Sequence, residues 1–366
     1  MPPSSRQVGH ESPALPIGWH LGRLLTKLAA SRSGYVLTAK DAAPPSLWTE
    51  LSEFGVFIEL AYNAIPVEMV CASVDVLTQP HYPLQGALFL RDLKLLESFG
   101  GAACVPAFTA YRPAQRQVVL AISGAQSVRH MWHFLQMTKC AHPAGDGCQV
   151  HSGLWSFYQL FKDHAVSAVR SALKGEAGKV EELVIVGHSM GGALGYLLAL
   201  DLLGNDALLP SGLTLKLAFF GTARVGNEEL CSLWRQRVRS YREKNGENSL
   251  DDYSVKINND VTPSLPLYRW GYRTFSDTPL YSHGRRLFHI PYSEREHSIF
   301  EVSMDSQESE QLTAFPDGGH TYYNDRDMVV SVNRLAWLGK NMEKTPGWRE
   351  QYRKMVISQG EAWEEG

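Results

Sequence analysis

The 366-residue chain is 44% hydrophobic and 20% charged, which suits a packed core and excludes a largely disordered segment. Its formal net charge is −3, with no basic run. That excludes the basic face of a nucleic-acid binder and the polybasic anchor of a membrane-surface protein.

Residues Met1 to Pro16 are rich in Pro and Ser and read as a flexible tail. They lack the apolar core of a secretory signal, which points to a cytoplasmic protein. The segment from Trp48 to about Asn63 places Leu51, Phe54, Phe57, Ile58 and Ala61 on one helical face. A second helix is expected from Gly86 to Phe99. Strands follow at Ala107–Ala110 and Gln117–Ile122, separated by the turn YRPAQR. From Gly153, apolar residues recur at three and four positions through Leu154, Phe157, Phe161, Ala165 and Val169, the mark of a long amphipathic helix. The apolar strand Leu183–Val186 comes next, then a Gly-rich turn and a helix to about Leu203. The most apolar stretch, Met190 to Leu200, meets Asp201 well short of the roughly 20 residues that span a membrane. Leu213–Phe220 reads as a strand, Glu228–Lys244 as a charged, solvated helix, and Tyr253–Ile257 as a further strand.

Apolar strands alternating with helices predict an α/β fold: a mostly parallel central sheet with helices on both faces. No linker breaks the pattern, so residues 17–366 are expected to form a single domain. The five cysteines, Cys71, Cys104, Cys140, Cys148 and Cys231, are too sparse for a disulfide framework, although Cys140 and Cys148 flank a short loop and could pair. No Cys–His spacing suits zinc.

The most informative string is Val184-Ile185-Val186-Gly187-His188-Ser189-Met190-Gly191-Gly192. It places G-x-S-x-G between a strand and a helix, the context of the nucleophile turn of an α/β-hydrolase. Small residues at plus and minus two let the turn close, and the Met190 N–H at the helix start can face a developing oxyanion. The bland alternative is a Gly-rich turn that contains a serine by chance. A serine needs a histidine base and a carboxylate orienter, in the chain order Ser, Asp or Glu, His. Asp260, in the loop after Tyr253–Ile257, is the candidate carboxylate, with Asp277, Asp251 and Asp252 as rivals; its plain alternative is an Asx-turn residue. For the base, His320 sits in the Gly-rich loop PDGGHTYY; His297 is the runner-up, and His283 and His289 are further candidates.

Together these strings resemble the fungal class 3 lipases, the filamentous-fungus triacylglycerol lipase type, over roughly Phe108 to Tyr323. GHSMGGALG is similar to the family's nucleophile string, and FFGTARVGN to its F-G-x-P-R-V-G-N segment. NDVTPSLP is similar to N-x-D-x-V-P-x-L-P, Gly319-His320 with Tyr322 and Tyr323 to the final H-x-x-Y, and His151 with Gly153 to an H-x-G element. The resemblance implies catalytic Ser189, Asp260 and His320, an oxyanion hole of the Ala125 and Met190 N–H groups, and no metal or organic cofactor. It implies hydrolysis of carboxylic esters such as acylglycerols. The alternatives are acyl transfer or amide cleavage by the same residues, or a catalytically silent lipid-binding protein.

The sequence departs from the family at Ser123-Gly124-Ala125, where R-G-T or R-G-S is usual; the backbone donor stays but the side-chain hydroxyl does not. The next segment, 127–136, occupies the place of the family's lid. Val128, Met131, Trp132 and Leu135 form an apolar stripe there, suited to covering a pocket and making transient contact with a lipid interface; a plain buried helix fits the periodicity equally. Arg224 and Asn227 resemble loop-holding residues rather than chemistry.

Overall fold

The computed structural model describes residues 31–101, 104–175, 180–303, 319–323, 327–342 and 344–360. The expected tail at 1–16 lies outside them. The fold is α/β. Strands β2 (Lys94–Gly101), β3 (Cys104–Arg112), β4 (Gln117–Ile122), β7 (Glu182–His188), β8 (Thr214–Phe220), β9 (Leu250–Ile257), β10 (Leu280–His283) and β11 (Arg286–His289) form one eight-stranded sheet. Its order is β11-β10-β9-β8-β7-β4-β3-β2. The centre from β4 to β10 is parallel, and both edges turn antiparallel. Two short pairs stand apart: β1 (Arg32–Leu37) with β12 (Ile299–Val302), and β5 (Lys139–Ala141) with β6 (Gln149–His151).

The central strands are apolar on both faces because helices cover both. Alternate residues separate cleanly. Val118, Leu120, Leu183, Ile185, Leu215 and Leu217 join one core with helices α3 (Ser152–Gly175), α4 (Met190–Leu203) and α5 (Glu228–Asn245). Their neighbours Val119, Ala121, Val184, Val186 and Ala218 join a second core with α1 (Pro45–Ala61), α6 (Met328–Asn341) and α7 (Trp348–Ser358). The remaining helix used below is α2 (Val128–Leu135).

Three expectations change. The helix expected at Gly86–Phe99 is a short 3-10 turn, Leu88–Asp92, followed by edge strand β2. A register shift between Leu95 and Glu97 breaks the two-residue period, so Leu95 packs on one core and Phe99 on the other. A bulged strand loses its alternation and can look helical in sequence. Asp251 and Asp252 lie on β9 itself rather than before it. Helix α5 is charged but not wholly solvated, for it buries Leu230, Cys231 and Trp234.

Candidate active site

The site gathers at the C-terminal ends of the parallel strands, where the chain leaves the sheet. Ser189 follows β7 with φ 55° and ψ −119°, a left-handed strain rare for a residue with a Cβ. Its N–H donates to the Phe220 carbonyl at 2.8 Å, which holds the turn against β8. Both flanking glycines are sterically required. A Cβ on Gly187 would lie 2.6 Å from the Gly191 backbone, and one on Gly191 would lie 2.3 Å from the Ser123 carbonyl oxygen. That second contact presses the helix start against the turn after β4.

Asp260 is buried in the turn that follows β9. His320 comes from a separate short turn, Gly319–Thr321. That turn packs so closely on the end of β9 that a Cβ on Gly319 would meet the Asn258 carbonyl oxygen at 2.0 Å. The three side chains form one line of hydrogen bonds. His320 Nε2 lies 2.9 Å from Ser189 Oγ, and His320 Nδ1 lies 3.0 Å from Asp260 Oδ2. A carboxylate can only accept, so Nδ1 carries the proton and Nε2 offers its lone pair to the serine. Thr262 N donates to Asp260 Oδ1 at 2.8 Å, and the Tyr323 hydroxyl donates to Oδ2. Burial alone would raise the Asp260 pKa, but His320 and these donors outweigh it and hold the carboxyl below its ordinary range.

The rival residues are occupied elsewhere. Asp252 accepts from the Tyr196 hydroxyl at 2.8 Å, and Asp277 lies 3.6 Å from Arg235. His297 hydrogen-bonds Ser31 Oγ at 2.8 Å. His283 and His289 sit on the β10–β11 hairpin.

Residues 119–270 match the family model described as Lipase (class 3). That stretch, less than half of the chain, is similar to the class 3 lipases. The chain is 32% identical over 155 residues to the secreted mono- and diacylglycerol lipase A of Penicillium cyclopium, and equally to that of Penicillium camembertii; the match covers 42% of this chain and 45% of each relative. The chain thus spans less than half the length of these curated relatives. Its fold is that of a solved triacylglycerol lipase described as having a serine protease triad at its catalytic centre. The TM-score there is 0.56 at 19% identity, over 79% of this chain and 98% of that one. The expectation of a cytoplasmic protein does not stand. The Penicillium relatives are secreted, and the residues on which it rested lie outside the described ones.

The remaining candidate residues fall around that line of bonds. Ala125 follows buried Ser123 and Gly124 in the turn after β4. Met190 is the first residue of α4, where no intrahelical acceptor exists for its N–H. Helix α2 is capped by the Ser127 side chain, which accepts from His130 N. His130 and His133 set their rings edge-on to Phe157, and His151 Nε2 donates to the Phe134 carbonyl at 3.0 Å. On the stripe, Trp132 is 66% exposed and Leu135 is half-buried; the side chains of Val128 and Met131 lie outside those described. Cys140 and Cys148 do not pair: both are free thiols, held on or beside the β5–β6 ribbon.

Arg224 crosses from the turn after β8 to Glu296 and to the carbonyls of Ser264 and Pro266. It thereby fixes the loop that begins at Asp260. The Asn227 side chain caps α5 by accepting from Leu230 N, and also accepts from Gln149 N at 2.9 Å.

Sequence reasoning missed Gly221 as a site residue. It has φ 59°, and a Cβ there would lie 2.6 Å from Asp260 Oδ2 and 3.0 Å from His320 Nδ1. It also missed Tyr62 and His188, which touch the site from beneath. His188 stood inside the nucleophile string, but nothing local distinguishes a buried partner from a spacer.

Proposed function

We propose that this protein is a serine hydrolase that cleaves carboxylic esters of the acylglycerol kind through an acyl-enzyme. The observation that carries the reading is the continuous Ser189–His320–Asp260 line of hydrogen bonds at a strained strand-to-helix turn. In the proposed reaction His320 Nε2 takes the Ser189 proton as Oγ attacks the ester carbonyl. Asp260 accepts from Nδ1 and stabilises the imidazolium as it forms. The N–H groups of Met190 and Ala125 receive the oxyanion. His320 then returns the proton to the departing alcohol. Water, deprotonated in turn by His320, attacks the acyl-enzyme and releases the acid. No step calls for a metal or an organic cofactor.

Helix α2 is the proposed lid, with exposed Trp132 as its contact for a lipid surface. The substrate is a lipid ester, and none of the described helices is long and apolar enough to cross a membrane. The unbroken sheet from β2 to β11 supports the reading of one α/β-hydrolase domain. A silent lipid-binding role is favoured only by Ala125, which supplies no hydroxyl to the oxyanion.

The test is hydrolysis of chromogenic esters from short to long acyl chains, with Ser189→Ala beside the parent chain. Activity is expected in the parent and lost in the variant. A parent that neither hydrolyses any ester nor labels with a serine-directed fluorophosphonate would overturn the proposal.

A further inference from the structure

We propose that Tyr62 and His188 are positioning residues: a directional hydrogen-bond relay that ties the oxyanion turn at Gly124–Ala125 to the backbone of His320. The proposal rests on the hydrolase reading above and goes beyond it, because neither residue touches the reacting atoms.

The direction of the relay follows from which atoms can only accept. His188 Nε2 lies 2.6 Å from the His320 carbonyl oxygen. A carbonyl has no proton, so Nε2 carries one and Nδ1 keeps its lone pair. The Tyr62 hydroxyl, 2.7 Å from Nδ1, therefore donates to it. On its other side Tyr62 Oη lies against the Gly124 turn. The relay thus runs from Tyr62 O–H to His188, and from His188 N–H to the His320 carbonyl, with the Gly124 turn packed on its Tyr62 end. Each donor polarises the next, which strengthens the chain.

The surroundings leave it little freedom. The His188 ring is buried and packs on the His320 ring with centroids 4.5 Å apart, and on Tyr323 at 5.8 Å. A Cβ on Gly124 would lie 2.4 Å from Tyr62 Oη and 3.1 Å from His188 Nδ1, so the oxyanion turn sits directly on the pair. Gln126 adds a second tie, its Nε2 donating to the Tyr62 carbonyl at 2.8 Å. Burial, and then the neighbouring His320, hold the His188 pKa down to about 3, so the ring stays neutral and the relay keeps one direction at ordinary pH.

Ala125 makes this tie consequential. It brings only a backbone N–H, and an N–H stabilises an oxyanion only when it is aimed. The C-cap of helix α1 supplies Tyr62, β7 supplies His188, and a distant loop supplies His320. The relay is what holds the oxyanion donor and the base in one frame.

The experiment compares Tyr62→Phe, His188→Phe and the double variant with the parent chain and Ser189→Ala, on a soluble short-chain nitrophenyl ester, with thermal melts alongside. Each single variant should lower kcat by ~10- to 100-fold, the scale of a small misplacement at a reacting centre, while KM is unchanged. The double variant should be no slower than the slower single one, because the relay is already broken. His188→Gln keeps a donor toward the His320 carbonyl and should recover part of the rate lost in His188→Phe; it is also the readout if the phenylalanine variants do not fold. Losses that multiply in the double variant, or a Tyr62→Phe chain with parental kcat, would overturn the relay while leaving the hydrolase intact. An inactive parent, or activity that survives Ser189→Ala, would overturn the hydrolase reading and the relay with it.

Discussion

Replacing Asp260 by Asn tests the arrangement of the site atom by atom. The side chain keeps its shape but exchanges one acceptor oxygen for an NH2 donor. Thr262 N–H, 2.8 Å from Oδ1, decides which way the amide turns, because the Tyr323 hydroxyl at Oδ2 can rotate to accept and a backbone N–H cannot. Facing NH2 to that N–H would leave two donors opposed in a buried site, which costs ~1–3 kcal/mol. The amide oxygen therefore stays at Oδ1, and the NH2 occupies the Oδ2 position, 3.0 Å from His320 Nδ1. Nδ1 must then accept, the proton moves to Nε2, and His320 presents a donor to Ser189 where a base is needed. A base locked in the wrong tautomer costs roughly 10⁴-fold in kcat, or about 5 kcal/mol of barrier. The assay is steady-state hydrolysis of a soluble chromogenic ester by the parent, Asp260→Asn and Asp277→Asn chains, each checked for a cooperative melt. Asp277→Asn, whose carboxylate lies beside Arg235, should leave the rate unchanged. A folded Asp260→Asn chain within about tenfold of the parent, ~1.4 kcal/mol of barrier, would refute the assignment of Asp260 as orienter.

Three further outcomes follow from the packing. Arg224→Ala leaves Glu296 and two loop carbonyls without their partner; urea denaturation should show a loss of ~3–5 kcal/mol, and a loss under about 1 kcal/mol would deny its loop-holding role. Trp132→Ser removes a side chain that is 66% exposed, so the melt and the soluble-ester rate should hold while hydrolysis of an emulsified long-chain glyceride slows; equal slowing on both substrates would remove Trp132 from any interfacial role. Stability should fall on acidification from pH 7 to pH 5. Burial lowers His151 from 6.5 to about 4 and, with His320, His188 to about 3, so below pH 6.5 the unfolded chain binds protons that the folded chain refuses. Buried Asp252, raised to about 7, opposes this with one group against two. The net slope grows from near zero at pH 7 to about one proton, ~1.4 kcal/mol per pH unit, near pH 5, and urea midpoints that stay level or rise between pH 7 and pH 5 would contradict it.

What was legible in the sequence was what a local constraint writes into neighbouring residues. Gly187 and Gly191 are spaced around Ser189 because a Cβ at either would strike backbone. The runs VVLAI and LVIV are apolar at every position because both sheet faces are covered. Helix α3 declares its buried side by its repeat. Such features need only a few residues of chain, so periodicity and spacing reveal them.

The tertiary structure decided whatever depends on which distant segments meet. Several histidines followed Ser189 in sequence, but only a fold that packs Gly319 onto Asn258 brings His320 to 2.9 Å from Ser189 Oγ. The bulge in β2 became visible only through its pairing with β3. The packing of His130 and His133 on Phe157, and the tie from His151 to the Phe134 carbonyl, join α2 to residues 17 to 27 positions further along the chain. Tyr62, His188 and Gly221 carry no local mark of their place, because the contacts that give each its role come from residues far along the chain. Backbone sterics act over a few bonds and leave a signature in sequence; hydrogen bonds and packing between remote segments act through space and leave none.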